Sequence, residues 1–403
     1  MELFWLEHKK LWRKKIVKIC VLLCFVYCVI FGSILSFQWF SFGSSDDYTS
    51  AFGNNFDGYT VIKDSQEYAL SFGGELTDET LQQIVSDYQQ MEADGMEEEL
   101  EKTDWQIVNS WLGTLYPELR DTGNYKTMIS YVDPDKLTGF YERRQQVLDE
   151  FLEVSGQVGA EKEYLHQIDG KVEKPFHYEW VEGWSTLLGS MVADLGVVMA
   201  LFLGIVLSSL FAGEWHDNTS TLVLTTRNGW GKIALAKILT GLAFTVELFA
   251  LLAVSSVISQ LFFMGTAGWD MPIQNIKLIA VAPMNMLQAE IYEYAFVLLG
   301  AIGFAGIVMF ISAAVKNNVL TLLLSLAVVY GPMMIAEYLP YGMQKALDLI
   351  PLVGSSTDIF RTNTFRIFGK LIWSPYLLII IPVLIGILCM PFAIKSWSRR
   401  MKA

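Results

Sequence analysis

Six long runs of apolar residues determine what kind of protein this sequence can form. At 1.5 Å per residue of helix, each run is long enough to cross a hydrocarbon core roughly 30 Å thick. Of the 403 residues, 53% are hydrophobic, a share too high for an ordinary soluble protein. We therefore predict an α-helical membrane protein with six transmembrane helices. The predicted spans are residues 16–37, 187–211, 233–264, 291–315, 319–338 and 372–394.

The distribution of Lys and Arg predicts the orientation of these spans. Basic residues cluster before the first span, in the 395–403 tail and at Lys316 in the short loop between spans four and five. Six crossings place these segments on one side, which the positive-inside rule assigns to the cytoplasm. The 212–232 segment falls on that side too. Residues 339–371 oppose the scheme, since they fall outside yet carry four basic residues against two acidic ones.

Residues 38–186 form an acidic insert between spans one and two. They contain 30 Asp or Glu and 10 Lys or Arg, a net charge of −20, which leaves +7 for the rest of a chain whose net charge is −13. The insert has no cysteine, so its own apolar core has to stabilise it. We predict a mixed, mainly α extracellular domain. Its predicted elements are strands at 58–62 and 67–71 and helices near 77–91, 96–113 and 135–156.

Two further segments flank the spans. Residues 1–15 mix aromatic and basic side chains, which predicts an amphipathic elbow helix on the anionic inner leaflet, with a plain basic anchor as the alternative. Residues 339–371 contain Pro351 and a Ser-Ser-Thr-Asp run, which predicts an extracellular or re-entrant segment between spans five and six.

The polar 212–232 segment between spans two and three has a helical pattern. Four of its residues recur at spacings of three and four, and these are Trp215, Thr219, Leu222 and Val223. They predict a short amphipathic helix on the membrane face, with Glu214, Asp217 and Asn218 turned toward water. A soluble partner can contact such a helix. The alternative interpretation of the segment is an ordinary charged cytoplasmic loop.

This segment resembles the corresponding part of permease subunits of type-2 ATP-binding-cassette (ABC) exporters. In that family span two ends in a Phe-x-x-Glu-like step, an acidic coupling helix follows, and an Arg and a Lys lead into span three. The matching positions here are Phe211, Glu214, Thr219, Leu222, Leu224, Arg227 and Lys237. The sequence departs from the family at Asn218 and Thr226, where Gly and Pro are usual.

The resemblance implies a transport subunit that is not itself an enzyme. Its implied partners are two ABC ATPase subunits, which bind ATP and Mg²⁺, and a second permease subunit, identical or homologous. Membrane lipid is a further expected partner, and nucleic acid is not. The residues implied to couple to the ATPase are Glu214, Trp215, Asp217, Thr219, Leu222, Arg227 and Lys237.

Motif searches agree that nucleotide chemistry belongs on another chain. Gly231-Lys232 and Gly369-Lys370 lack both the upstream glycine and the following hydroxyl residue of a phosphate-binding loop. The four histidines form no His-Glu-x-x-His pair, so a zinc protease is unsupported. We therefore expect no catalytic residue, cofactor or metal on this chain.

Small residues recur at every fourth position in span two. They are Gly196, Ala200, Gly204, Ser208 and Ala212. Such a ridge lets two helices approach closely, so we predict a subunit interface, with generic packing inside one bundle as the alternative.

Acidic residues also occur within the spans or at their ends. They are Asp194, Glu247, Glu290, Glu293 and Glu337. Ionisable groups in a bilayer are costly, by roughly 2.5–3.5 kcal/mol, so they suggest a substrate path for a cation or a cationic peptide. The alternative is that Glu247 is hydrogen-bonded between helices and that the outer carboxylates are solvated.

We expect the chain to export an amphipathic or cationic peptide, for antimicrobial-peptide export or immunity, from a bacterial cell membrane. The insert is expected outside and both termini inside. Sodium-ion extrusion by the same architecture is the first alternative. A membrane sensor that binds a ligand through its extracellular domain without transport is an alternative of another class.

Overall fold

A computed structural model describes residues 2–30, 66, 73–96, 106–121, 126–217, 219, 231–354 and 362–399. Within them, in chain order, the helices are α1 (Glu2–Arg13), α2 (Lys15–Val29), α3 (Asp78–Ala93), α4 (Gln106–Leu115), α5 (Phe140–Val154), α6 (Ala160–Asp169), α7 (Glu182–Thr186), α8 (Val192–His216), α9 (Lys232–Met264), α10 (Met286–Val315), α11 (Asn318–Ile335), α12 (Tyr341–Leu347) and α13 (Ser374–Arg399). The strands are β1 (Gly74–Leu76), β2 (Phe176–Tyr178), β3 (Thr364–Ile367) and β4 (Lys370–Trp373).

Five helices are long and apolar enough to cross a membrane, which confirms an α-helical membrane protein. They are α8, α9, α10, α11 and α13, and they match predicted spans two to six. The predicted first span corresponds to α2 as far as residue 29, while residues 31–37 lie outside the described part. Six spans therefore remain a prediction.

The centre of the bundle is α10, which packs closely against α13. Gly303 and Gly306 face the backbone of Pro382 and Gly386, and a Cβ on either glycine has no room. This close approach is the small-residue packing typical of membrane helices. It allows α10 and α13 to act as one block.

The small-residue ridge of α8 is buried inside this chain, so its predicted role as a subunit interface is corrected. Its members are Gly196, Ala200, Gly204, Ser208 and Ala212, and all are buried. Gly204 lies against Leu322 and Leu326 of α11. On the α10 side, the Ser312 hydroxyl donates to Ser208 O at 2.7 Å and accepts from the Ala212 N–H at 3.1 Å. The close approach that the small residues allow is thus with α10 and α11.

The insert contains a helix at each of the three predicted places, with shifted bounds, and also α6, which was not predicted. Helix α3 begins after Thr77, whose hydroxyl accepts from the Thr80 N–H, as predicted. Helix α5 begins at Phe140 and not at 135, because Gly139 has φ 73° and separates it from a short 3₁₀ turn. The Asp78 carboxylate then accepts from the N–H groups of Gly139 and Phe140. The predicted strands at 58–62 and 67–71 lie outside the described residues.

The insert does not form its core alone. The loop between α9 and α10 packs into it, and Trp111 Nε1 donates to Asn275 O at 3.1 Å. The guanidinium of Arg144, which is fully buried, binds the Asp169 carboxylate and donates to Leu278 O and Ala280 O in the same loop. Sequence reasoning assigned no structure to this loop, although it completes the insert.

The later part of 339–371 packs on the insert, and the predicted choice between an extracellular and a re-entrant segment stays open. Strands β3 and β4 form an antiparallel hairpin. Thr364 Oγ1 donates to Gln157 Oε1 at 2.8 Å, and Arg366 pairs with Glu161 at 2.7 Å. The earlier part of the segment packs on the bundle, where Leu352 lies against Gly300 and Pro351 against Gly303 of α10. The segment thus contacts both the insert and the bundle.

The loops therefore collect at two ends of the bundle. The insert, the α9–α10 loop and the β3–β4 hairpin meet at one end, which we call the acidic end. At the other, the basic end, the Trp215 ring lies 4.1 Å from Lys316 Nζ and 6.1 Å from the Trp397 ring. The loops alternate between the ends, as antiparallel crossings require.

We expect Arg144→Met to destabilise the insert by about 3–5 kcal/mol, because it leaves the Asp169 carboxylate buried without its main partner. The matched control is Arg366→Met, since the Arg366 side chain is 58% exposed in its ion pair and such pairs contribute about 0–1 kcal/mol. Denaturant midpoints of the purified chain, followed by tryptophan fluorescence, measure both. Equal losses in the two variants would contradict this account.

Candidate functional site: a buried charge junction

Four charged side chains meet at the basic end, where α1 crosses the end of α8 and the start of α9. Glu214 lies on the last turn of α8 and is 4% exposed, and Lys237 lies near the start of α9 and is 1% exposed. Glu7 and Lys10 come from α1. We call these four residues the charge junction.

The charges alternate in sign along the junction. Lys237 Nζ donates to Glu214 Oε1 and to Glu7 Oε2, both at 2.8 Å. Lys10 Nζ donates to the same Glu214 oxygen at 2.6 Å. The other Glu214 oxygen accepts from the Thr219 hydroxyl. The junction is therefore neutral as a whole, which is the condition under which charges remain buried.

Lys14, which lies between α1 and α2, borders the junction under less favourable conditions. Burial, together with the nearby Lys237 and Lys10, lowers the pKa of Lys14, whose ammonium donates only to Ser209 Oγ among the hydrogen bonds described. Burial also lowers the pKa of Lys10, but the hydrogen bond to Glu214 and the surrounding carboxylates outweigh it, so the net shift is upward. Between these groups lies a cavity of about 30 Å³, enough for one water molecule.

Helix α1 makes a second polar contact with α9, at Glu247. His8 Nε2 lies 2.9 Å from one carboxylate oxygen of Glu247, and Trp12 Nε1 donates to the other at 3.0 Å. The Trp12 ring also meets Phe244 edge to face. Glu247 thus connects α1 to α9, in line with the alternative that it is hydrogen-bonded between helices.

The predicted coupling residues have different outcomes, and Thr219 is the one that bonds the Glu214 carboxylate. Glu214 and Lys237 are buried in the junction, so the expectation that Glu214 faces water is wrong. Trp215 lies in the last turn of α8, and its ring packs against the ring of Trp397. This turn therefore belongs to α8 and not to a separate helix. Asp217 is 69% exposed next to His216, as predicted. Leu222 and Arg227, like Asn218, lie outside the described residues.

The predicted acidic path is not brought together. Glu290 and Glu293 are buried in the first turns of α10, 3% and 0% exposed, and Asp194 is exposed. Ser256, which bonds the Tyr294 hydroxyl beside them, lies nine residues from Glu247 along α9, or about 13 Å. Glu247 is therefore separate from Glu290 and Glu293 of α10. The Glu337 side chain lies outside the described part of the structure.

Metal chemistry gains no support in the part of the chain that is described. No group of three or more His, Cys, Asp or Glu residues there is arranged to hold a metal ion. Cys20, Cys24 and Cys28 form a buried stripe of α2 within the apolar core, in agreement with packing.

The contribution of Glu7 and Lys10 was missed, because α1 was interpreted only as an amphipathic or basic segment. An available signal was the spacing of Glu7 and Lys10, which places both on one face of a helix. The sequence does not say which groups oppose that face.

Comparison of this chain with models of known protein families, with curated proteins and with solved structures found no match.

We expect Lys237→Met to lower the free energy of unfolding by about 3–5 kcal/mol, because Glu7 and Glu214 lose the cation between them. The double variant Glu214→Gln/Lys237→Met should recover part of that loss, since Glu214 is then no longer a buried carboxylate without its cation, while Glu7 still lacks Lys237.

The matched control is Lys14→Met at the edge of the junction. Burial and two neighbouring cations disfavour its charge, so this variant should stay within about 1 kcal/mol of the unmodified chain, the worth of its hydrogen bond to Ser209. Thermal unfolding in detergent compares the variants. A Lys14→Met loss as large as that of Lys237→Met would show that the pairing does not matter.

Proposed function

We propose that this chain is the membrane subunit of an exporter driven by ATP hydrolysis on separate ATPase chains. The observation that carries the proposal is the charge junction, which joins α1, α8 and α9 at the point where the 212–232 segment leaves the bundle. An ATPase that pushes on this segment moves three helices together through Glu214 and Lys237. The absence of a phosphate-loop motif in the sequence is consistent with ATP and Mg²⁺ binding on the partner.

The contact with the ATPase is assigned to the exposed side of this segment. Glu214 transmits force from inside the junction, whereas Asp217 is exposed and available to a soluble partner. Trp215 extends the same path to α13 through Trp397. The movement then reaches α10, which packs closely on α13.

The substrate we propose is an amphipathic or cationic peptide. The insert would attract such a peptide, because residues 38–186 have a net charge of −20 by residue count and an acidic surface concentrates cations nearby. The sodium alternative loses one of its motivating residues, since Glu247 is bonded to His8 and Trp12. A second permease subunit remains part of the proposal, with its contact on a face other than the α8 ridge.

The proposal requires the basic end to lie in the cytoplasm. In a background with all four cysteines replaced by alanine, we expect Glu150→Cys in the insert to react with a membrane-impermeant maleimide on intact cells. His216→Cys, whose side chain position is 75% exposed, should react only after permeabilisation. Labelling of His216→Cys from outside would invert the topology and end the proposal.

The proposal also requires an ATPase partner. Affinity purification of the chain from its native membranes, followed by mass spectrometry, should recover a protein with an ATP-binding phosphate loop. Asp217→Lys should reduce this recovery several-fold without unfolding the chain, because Asp217 is exposed. Asp135→Lys, at an exposed position of the insert, is the control and should leave recovery unchanged. No ATPase with the unmodified chain would favour the sensor alternative.

A further inference from the structure

A cleft lies between the end of the insert and the loop that joins α9 to α10. One wall consists of residues 171–177, which lead to β2, and the other of residues from 270 to 288, which lead into α10. The cleft encloses about 380 Å³, within the range of small-ligand sites, which begins at about 300 Å³. It is more than ten times larger than the cavity at the charge junction, about 30 Å³.

Among the charged residues that line this cleft, two are acidic and one is a lysine. Glu173 and Asp270 contribute exposed carboxylates to the lining. The lining also contains Lys171 and His177. Gln274 is fully buried, and its amide nitrogen donates to Ala280 O and Ala282 O. Its Oε1 accepts no hydrogen bond from the described residues. A ligand that donates hydrogen bonds and carries positive charge suits this lining.

The start of α10 forms part of the second wall, yet it does not offer an anion site. Its first backbone N–H groups are already bonded: those of Met286, Leu287 and Gln288 donate to Met271 O, Trp269 O and Asn285 Oδ1. An anionic ligand would therefore find no free N–H group at these positions, although helix N-termini usually attract anions.

Apolar side chains make up the rest of the lining. Phe176 and Val172 are buried at the wall next to β2, and Met284 is half-buried opposite them. Three prolines complete this apolar lining, namely Pro175, Pro272 and Pro283. A ligand that is cationic alone leaves this surface unused, whereas an amphipathic one covers it.

We propose that this cleft binds a short segment of a cationic, amphipathic peptide. A Lys or Arg side chain of the peptide pairs with Glu173 and Asp270, and an adjacent apolar side chain packs on Pro175 and Met284. The inference rests on the proposed function, because it identifies where the exported peptide binds at the acidic end. Binding itself needs neither the ATPase nor transport, so the two proposals are tested separately.

The test is equilibrium binding to the purified full chain in detergent, without ATPase or nucleotide, measured by fluorescence anisotropy. The probe is a fluorescein-labelled pentapeptide Leu-Lys-Leu-Lys-Leu-amide, and its comparison peptide has Glu in place of both lysines. The lysine peptide should bind more tightly than the glutamate peptide. In the double variant Glu173→Gln/Asp270→Asn its affinity should fall about tenfold, because two ion pairs at exposed groups contribute up to about 1 kcal/mol each.

The control double variant, Asp135→Asn/Glu150→Gln, removes the same charge at exposed positions of the insert away from the cleft. It should retain the affinity of the unmodified chain. Equal weakening in both double variants would show that the overall charge attracts the peptide, and it would overturn the cleft. The proposal that the cleft binds a cationic peptide is also contradicted if the lysine peptide does not bind or if the glutamate peptide binds equally well. ATPase recovery in the pull-down stays independent of each outcome.

Discussion

A charge removed from water is costly unless an opposite charge is buried with it, and two such pairings hold the two ends of this molecule together. At the acidic end, Arg144 directs its planar guanidinium to both Asp169 oxygens and to two loop carbonyls. At the basic end, lysine and glutamate alternate through Glu214 and Lys237. Arginine suits the first place, since its fixed fork matches a carboxylate with two bonds, while a lysine ammonium suits a position between two carboxylates.

The pairings link segments that are far apart in the sequence, and this determines which parts move together. Arg144 joins the insert to the loop that starts α10, and the junction joins α1 to α8 and α9. Helix α10 also packs without space on α13. A displacement at the basic end thus has a continuous packed route to the acidic end, through α8 and α10, and requires no flexible linker on the way.

The sequence was sufficient for the parts that depend on local patterns. Long apolar runs predicted α8 to α11 and α13, and the local pattern of the insert predicted a helix near 77–91, where α3 lies. It was insufficient where a partner decides the outcome. Glu214 was predicted to face water because it lies in a polar segment. Its burial is explained by the positions of Lys10 and Lys237. The sequence pattern of the α8 ridge fits an interface between chains as well as packing within one. The insert was predicted to be self-contained because the residues that complete it are distant in sequence: Asn275 and Leu278 come 164 and 134 positions after the side chains that bond them.

The basic 339–371 segment conflicts with the positive-inside rule only when it is considered alone. Its Arg366 pairs with Glu161 of the insert, so the two segments share one end of the bundle. That end also carries the 38–186 insert with a net charge of −20, against a remainder of +7. Lys316 and the junction lysines lie at the opposite end, in short segments of the kind that the rule counts. If the acidic end were in the cytoplasm, the basic N-terminal segment would lie outside. The 339–371 segment would then obey the positive-inside rule, but several other segments would violate it. In the predicted orientation, the single exception is a basic segment that pairs locally with an acidic neighbour.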